Sequence, residues 1–307
     1  MDLLADILSV IDLRASLYFR AELGNQFAIE VPENAQFVRF HIVGPGTAWI
    51  GLPSGEETYF SKGDLVLVPQ GSAHVLANNP DSPAIPLEDV LALADTSHVG
   101  CIRYGEDAGT TELICGHFSF DTSIVHPVVS TLPPLIHISR DQGEGFEWLI
   151  PLLSTMHAES RDGMPGYEEI LIRLSEIIFI QVLRTYMKHE PDSSVALTAL
   201  ADHQLGPVLK AIHSDPGFQW SLERLSELAN MSRSVFAEKF KLKFAMTPMR
   251  YVTAWRIQKA RIMLSNNELT ITDITKRVGY ASDAAFSKVF KEYYGVSPGA
   301  YRRSDAV

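Results

Sequence analysis

The chain has 307 residues, of which 46% are hydrophobic and 21% charged, a globular composition able to bury a sizeable core. Its formal net charge of -11 (26 Lys and Arg against 37 Asp and Glu) argues, taken as an average, against a nucleic-acid partner. The average conceals a split. Residues 1–140 carry 6 basic and 17 acidic side chains, residues 141–215 carry 5 and 12, and residues 216–307 carry 15 and 8. A basic last third of +7 on an acidic body is the asymmetry of a nucleic-acid-binding module.

Two cysteines, Cys101 and Cys115, exclude a disulfide framework and fit a reducing compartment. The N-terminus MDLLADILSVIDL is acidic, with no early Lys or Arg, unlike a secretory signal. No apolar run approaches the ~18 residues of a membrane span. The expectation is a cytoplasmic chain without a membrane partner.

From about Gln26 to Asp121 the chain reads as short β-rich runs divided by Gly, Pro, Asn and Asp: Phe37–Val43, Thr47–Leu52, Glu57–Phe60, Asp64–Val68, Cys101–Tyr104 and Glu112–Phe120. Such spacing predicts an antiparallel sandwich or barrel. Residues 78–99, rich in Pro and Asp, read as one long loop.

Within this region GDLVLVPQGSAHVLAN places Gly63, Pro69, Gly71, His74 and Asn78 at the spacing G-x5-P-x-G-x2-H-x3-N. This resembles the second cupin motif and implies a small jelly-roll barrel, with His74 pointing into it. The first cupin motif, with its two His and a Glu, is not intact; only His41 stands near its place. Period 2 puts Arg39, His41 and Val43 on one strand face, and Leu113, Cys115 and His117 on another. His41, His74, Cys115 and His117 are therefore candidate metal ligands; imidazole with thiolate favours zinc or another divalent metal. The other reading is a metal-free pocket, with Arg39, His41, Trp49 and His74 as candidate ligand-binding residues.

From about Phe146 to His213 the pattern turns helical. Tyr167–Lys188 carries Ile170, Leu171, Leu174, Ile177, Ile178, Gln181, Val182 and Tyr186 at spacings of 3 and 4, which predicts a helix of about six turns. It reads as a core helix or as a dimerisation helix.

The last 90 residues contain a duplication with an offset of 50. Ser232, Phe236, Phe240, Lys241, Thr247, Pro248 and Tyr251 find Ser282, Phe286, Phe290, Lys291, Ser297, Pro298 and Tyr301. In each copy a first helix (Leu222–Ala229, Ile271–Val278) ends at Asn230 or Gly279, residues that tolerate a left-handed turn. Ser221, Ser232, Thr247, Thr270 and Ser282 are expected N-caps. The paired Phe residues lie four apart and face the first helix, leaving the opposite face outward, which is helix-turn-helix geometry. The expected base readers are Arg233, Ser234, Ala237 and Glu238, then Asp283, Ala284, Ser287 and Lys288. Lys241, Lys243, Arg250, Arg256 and Lys291 are expected on phosphates. A linker helix from Thr247-Pro248 to about Leu264 would hold the two reading heads roughly one DNA turn, about 34 Å, apart.

Over about Trp220–Arg303, with LSELANMSRSVFAEKFK, TPMRYVTAWRIQKARIML and ITDITKRVGYASDAAFSKVFKEYYGVSPGAYRR, the chain resembles the AraC/XylS family of bacterial transcription regulators. Ala245 departs from the Gly that usually closes the first recognition helix, and Thr275 from a small Ala. Ala245 calls for another turn geometry, or for strain if its φ is positive. The resemblance implies an α+β chain: a cupin-like sensing domain over 1–140, a helical connector over 141–215, and a double helix-turn-helix domain over 216–307. It also implies promoter DNA, a small effector, RNA polymerase and a second copy of the chain as partners, and activation as the commoner outcome. Two alternatives stand beside it: a cupin metalloenzyme with a helical appendage, and a constitutive DNA-binding protein whose barrel only dimerises.

Overall fold

The computed structural model describes residues 2–11, 13–95, 101–119, 126–139, 148–162, 164–189, 196–266 and 268–304. In chain order they form α1 (Leu3–Ile11), β1 (Arg14–Leu23), β2 (Ala28–Val31), β3 (Phe37–Val43), β4 (Thr47–Gly51), β5 (Glu57–Ser61) and β6 (Leu65–Val68). Next come β7 (His74–Ala77), β8 (Ile85–Pro86), α2 (Leu87–Leu93), β9 (Cys101–Tyr104), β10 (Thr111–Ser119), α3 (Pro127–Ser130) and β11 (Ile136–Ile138). The helical remainder is α4 (Leu149–Asp162), α5 (Tyr167–His189), a 3-10 turn over Ala196–Leu200, α6 (Leu205–Ser214), α7 (Leu222–Leu228), α8 (Arg233–Phe244), α9 (Pro248–Ser265), α10 (Ile271–Arg277), α11 (Asp283–Tyr294) and α12 (Pro298–Ser304). Among the described residues no helix is long and apolar enough to cross a membrane.

Two units emerge. The first, Leu13–Phe120 with Leu132–His189, is a two-sheet sandwich with the α4–α5 pair. One sheet runs β11-β6-β3-β10-β1-β9, the other β5-β4-β7-β2-β8. Pairings are antiparallel except β1 with β9 and β2 with β8. Alternation decides what lies between the sheets: Val43, Ala48, Ile50, Phe60, Val66, Val68, Leu76, Leu113 and Cys115 share one buried cluster. The cupin-like spacing has a local cause at each position. A Cβ on Gly71, whose φ is +64°, would run into the carbonyl oxygens of Asn34 and Phe37. Asn78 accepts from the Phe27 amide at 3.2 Å and donates to the Asn25 carbonyl, tying the end of β7 to the β1–β2 turn.

The stretch expected as one loop over 78–99 instead carries β8 and α2, and Asp95 exchanges backbone hydrogen bonds with Arg103. Glu88 and Asp89 in the first turn of α2 suit the helix dipole, and Val90 is buried in the core cluster. Residues 96–99, and Phe120 at the expected end of the last strand, lie outside the described residues.

The second unit, Met1–Asp12, Asp121–Thr131 and Glu190–Val307, gathers the remaining helices. This partition differs from a boundary at 216. The apolar face of α1 (Leu3, Leu4, Ile7, Val10, Ile11) is buried within this unit, and Arg261 of α9 donates to the Val10 carbonyl at 2.8 Å. The five residues of the 3-10 turn are all buried, and Lys239 of α8 reaches Asp202 at 2.8 Å and Gln204 at 2.9 Å just beyond it. The 3-10 turn and the residues just after it are thus part of the packing of the first helix pair.

Candidate nucleic-acid interface and sensor core

All five expected N-caps are made: Ser221, Ser232, Thr247, Thr270 and Ser282 each accept from the amide three residues on, at 3.1–3.4 Å. In each copy the Phe residues of the second helix are fully buried, and the Tyr of the following helix closes over them. Tyr251 lies 5.5 Å from Phe240, and Tyr301 lies 5.6 Å from Phe290. The 50-residue repeat is therefore a repeat of packing. The two pairs are joined by α9, whose 18 residues span roughly 27 Å at about 1.5 Å each.

The first recognition helix, α8, ends at Ala245 with φ 55° and ψ 15°, in the left-handed region. The absent glycine is met by strain rather than by another turn. Thr275 is accommodated by donating its hydroxyl to the Ile271 carbonyl at 2.9 Å. Gly279, φ +79°, leaves no space for a Cβ between Gly217 O and Arg256.

Opposite the buried Phe stripes the outward faces carry Ser234, Val235, Glu238, Lys241 and Leu242 on α8, and Ala284, Ala285, Lys288, Lys291 and Glu292 on α11. Val235 and Leu242 are 54% and 72% exposed, and neither is among the expected readers. The signal for both in the sequence is an apolar residue at a helical spacing that falls opposite the buried Phe stripe. Arg233 is exposed at the start of α8, whereas Ala237 and Ser287 are half-buried toward the helix pair. The Asp283 carboxylate accepts from Thr272 at 2.6 Å, binding α10 to the start of α11.

Two of the side chains expected on phosphates are engaged within the protein. Arg256 donates to the carbonyls of Pro216 and Phe218, both at 2.7 Å, and lies over the Tyr280 ring; it staples α9 to the segment before α7. Lys243 donates to Thr198 at 3.2 Å. Lys241, Lys291 and Arg250 remain exposed.

In the sandwich unit Arg39, His41, His74, Cys115 and His117 do face the space between the sheets, because β3 and β10 pair with His41 opposite Cys115 and Arg39 opposite His117. His74 Nδ1–H donates to the Ser72 carbonyl at 2.9 Å, which leaves its Nε2 as acceptor. His41 then donates from Nε2 at 2.9 Å and accepts at Nδ1 from the Cys115 thiol at 3.1 Å. Burial first, with Arg39 nearby, holds His74 down at about 4; burial lowers His41 as well, and pushes the Cys115 thiol up to about 12. The chain of three is neutral at pH 7, with one tautomer for each ring.

That geometry does not suit zinc. Cys115 and His74 sit on different nitrogens of one imidazole, so no point lies at about 2 Å from all three. His117 stacks on Phe37 with centroids 3.8 Å apart. Among the described residues no group of three or more His, Cys, Asp or Glu is arranged for a metal. Trp49 also departs from expectation: it shares the outer face of its strand with Gly51, while Ala48 and Ile50 point inward.

Sequence reading missed a second buried group. His126 accepts at Nδ1 from the Val128 amide, which places its proton on Nε2, 3.4 Å from the Tyr251 hydroxyl. Tyr251 in turn donates to His213 Nε2 at 2.9 Å.

A chain with two registered helix-turn-helix pairs in one all-helical unit, following a two-sheet cupin-type sandwich, is a DNA-binding regulator in architecture. Comparison with known proteins agrees: a family profile described as Cupin matches residues 2–188, and one described as Helix-turn-helix domain matches residues 225–304. The chain is 31% identical to the HTH-type transcriptional regulator AlkR of Acinetobacter baylyi over 99% of each chain. It is 29% identical to an AraC-like transcription regulator of Streptomyces lividans over 99% of this chain and 98% of that one. It is 28% identical to the RCS-specific HTH-type transcriptional activator RclR of Escherichia coli over 98% and 97%. The chain belongs to the AraC family of helix-turn-helix transcriptional regulators, with a cupin N-terminal region.

Proposed function

We propose that this regulator works in the cytoplasm as an effector-responsive homodimer, each copy setting α8 and α11 into two successive major-groove segments of a promoter. The observation that carries the reading is the pair of second helices 50 residues apart, each with its Phe stripe buried and its opposite face exposed. Ser234, Val235 and Glu238 read bases for the first head, with Val235 suited to thymine methyls and Glu238 to cytosine N4; Ala284 and Lys288 read for the second. Arg233 is in reach of bases or backbone, while Asp283, Ala237 and Ser287 serve chiefly to seat their helices. Lys241, Lys291 and Arg250 neutralise phosphates.

Ile170 and Ile177 of α5, 42% and 44% exposed on one side with Leu174 between them, support a second copy as partner. Activation through RNA polymerase is the reading favoured by RclR, which is described as an activator. An enzyme is disfavoured, since the relatives matched over their full length are named as regulators. Footprinting the purified chain on genomic fragments tests the proposal. The expected protection covers two tracts about 34 Å apart per chain, with preference altered by Glu238→Ala or Lys288→Ala. Binding without sequence preference would sink it. DNA affinity flat across all effectors tried would leave the constitutive reading.

A further inference from the structure

Near His41 and His74 the ring nitrogens are already engaged with one another and with their neighbours. The two rings are hydrogen-bonded to each other, His41 also to Cys115 and His74 also to the Ser72 carbonyl. A cavity of about 280 Å³ lies elsewhere in the same unit. Its walls are the β3–β4 turn (Val43, Gly44, Pro45), the β5–β6 turn (Lys62, Gly63) and one face of α4, where Ile150, Leu153, Ser154 and His157 recur at spacings of 3 and 4. That volume is close to the lower end of ligand pockets, about 300–1,000 Å³.

Its chemistry is divided. Val43, Pro45, Ile150 and Leu153 make an apolar wall, and Ile150 stays 52% exposed at the side of α4. Lys62 and His157 supply the polar end. A Cβ on Gly44 would come within 3.4 Å of Cε1 and Nδ1 of His157, so the bare backbone gives the imidazole edge its place. Charges of both signs surround His157. Glu112 lies 3.6 Å from its Nε2 but is shared with Arg20, also at 3.6 Å. Burial and then Arg161, Arg20 and Lys62 hold the imidazole below its ordinary range, against the opposing pull of Glu112. An apolar wall that ends in the Lys62 ammonium, with the polar edge of the His157 imidazole beside it, fits a ligand built the opposite way.

We propose that this cavity is the effector site, and that it takes a small monocarboxylate with an apolar body, the carboxylate against Lys62 and His157 and the body along Ile150, Leu153 and Val43. The proposal rests on the reading of the chain as effector-responsive. The route outward is packed: α4 lies on α5, and Phe179 of α5 meets Phe118 of β10 with ring centroids 4.8 Å apart. A body wedged under α4 therefore shifts the helix that leans on the strand of Cys115.

Calorimetric titration of the full-length protein with benzoate, hexanoate and octanoate, and with octanol as the uncharged control, tests the site. The expected result is saturable binding of at least one acid, at least tenfold weaker for octanol and for Lys62→Glu, and lost in Ser154→Trp, which fills the cavity from an exposed helix position. Circular dichroism of both variants shows that the fold is intact. Absence of binding by all three acids, or equal binding by wild type and both variants, overturns the proposal. DNA affinity measured on the same preparations separates the two readings: an acid that binds as expected but leaves DNA affinity unchanged supports the site and counts only against effector response.

Discussion

The imidazole of His213 lies flat on the indole of Trp255, ring centroids 3.6 Å apart and planes within 8°. The same ring accepts the Tyr251 hydroxyl, so a linker-helix Tyr and Trp hold one histidine from α6 by its edge and its face.

This arrangement makes stability depend on pH. Burial holds His213 at about 2 and His126 at about 3, against about 6.5 in an unfolded chain. The unfolded state binds these protons first, so stability is whole above pH 6.5 and falls as pH drops toward the folded values. By pH 5 the loss is about 2 kcal/mol per histidine. Urea unfolding of the wild type at pH 7 and pH 5 should show it. Tyr251→Phe, which leaves two buried ring nitrogens without their partner, should cost about 1–3 kcal/mol at pH 7.

Ala245→Gly should stabilise the protein. A left-handed Ala costs about 1–2 kcal/mol, while glycine returns about 0.4–1 kcal/mol in unfolded-chain entropy, for a net gain of about 0.5–1 kcal/mol. An unchanged or lower urea midpoint would show that the strain is absorbed elsewhere.

Arg256 and the outward lysines should separate in one experiment. Lys241→Ala and Lys291→Ala should weaken binding to all DNA sequences alike and lower the salt slope by about 1 each. Arg256→Ala should leave the slope alone and lower the unfolding midpoint, because what it removes is a pair of 2.7 Å hydrogen bonds to backbone. A reduced slope in Arg256→Ala would restore it to the phosphate set.

Cys115→Ser should be tolerated, since a hydroxyl can still donate to His41, whereas Cys115→Val should cost about 1–3 kcal/mol by stranding Nδ1. With its thiol pushed up to about 12, Cys115 should alkylate no faster than the protein opens; rapid modification by iodoacetamide at pH 8 would contradict its place in the chain of three.

Much of this was legible in advance. Helix ends were readable because a cap is a local event: Ser232 or Thr247 needs only the next three residues. The turn at Asn230, φ 53°, was readable for the same reason. The inward facing of His41, His74 and Cys115 followed from period 2. What the rings do there did not, since the relation of His41 to Cys115 is set by strand register across 74 positions. The roles of Arg256 and Trp49 escaped for a like cause. A cationic or aromatic type predicts a partner class, but only tertiary neighbours decide whether a guanidinium meets phosphate or carbonyl. The group around Tyr251 drew its histidines from positions 126 and 213, distant from each other and from any motif.

The partition of the chain has a practical consequence. Met1–Asp12 and Asp121–Thr131 belong to the DNA-reading unit, while the sandwich claims Leu13–Phe120 and Leu132–His189, so the backbone passes between the units four times. A single protease nick at any one passage would leave them tethered. A gene fragment beginning at residue 216 would lack α1, α3 and the buried 3-10 turn, baring the side of α9 that α1 covers and the side of α8 that the turn meets. Anyone grafting this reading head onto a different sensor would have to transplant three separate pieces of chain, not a tail.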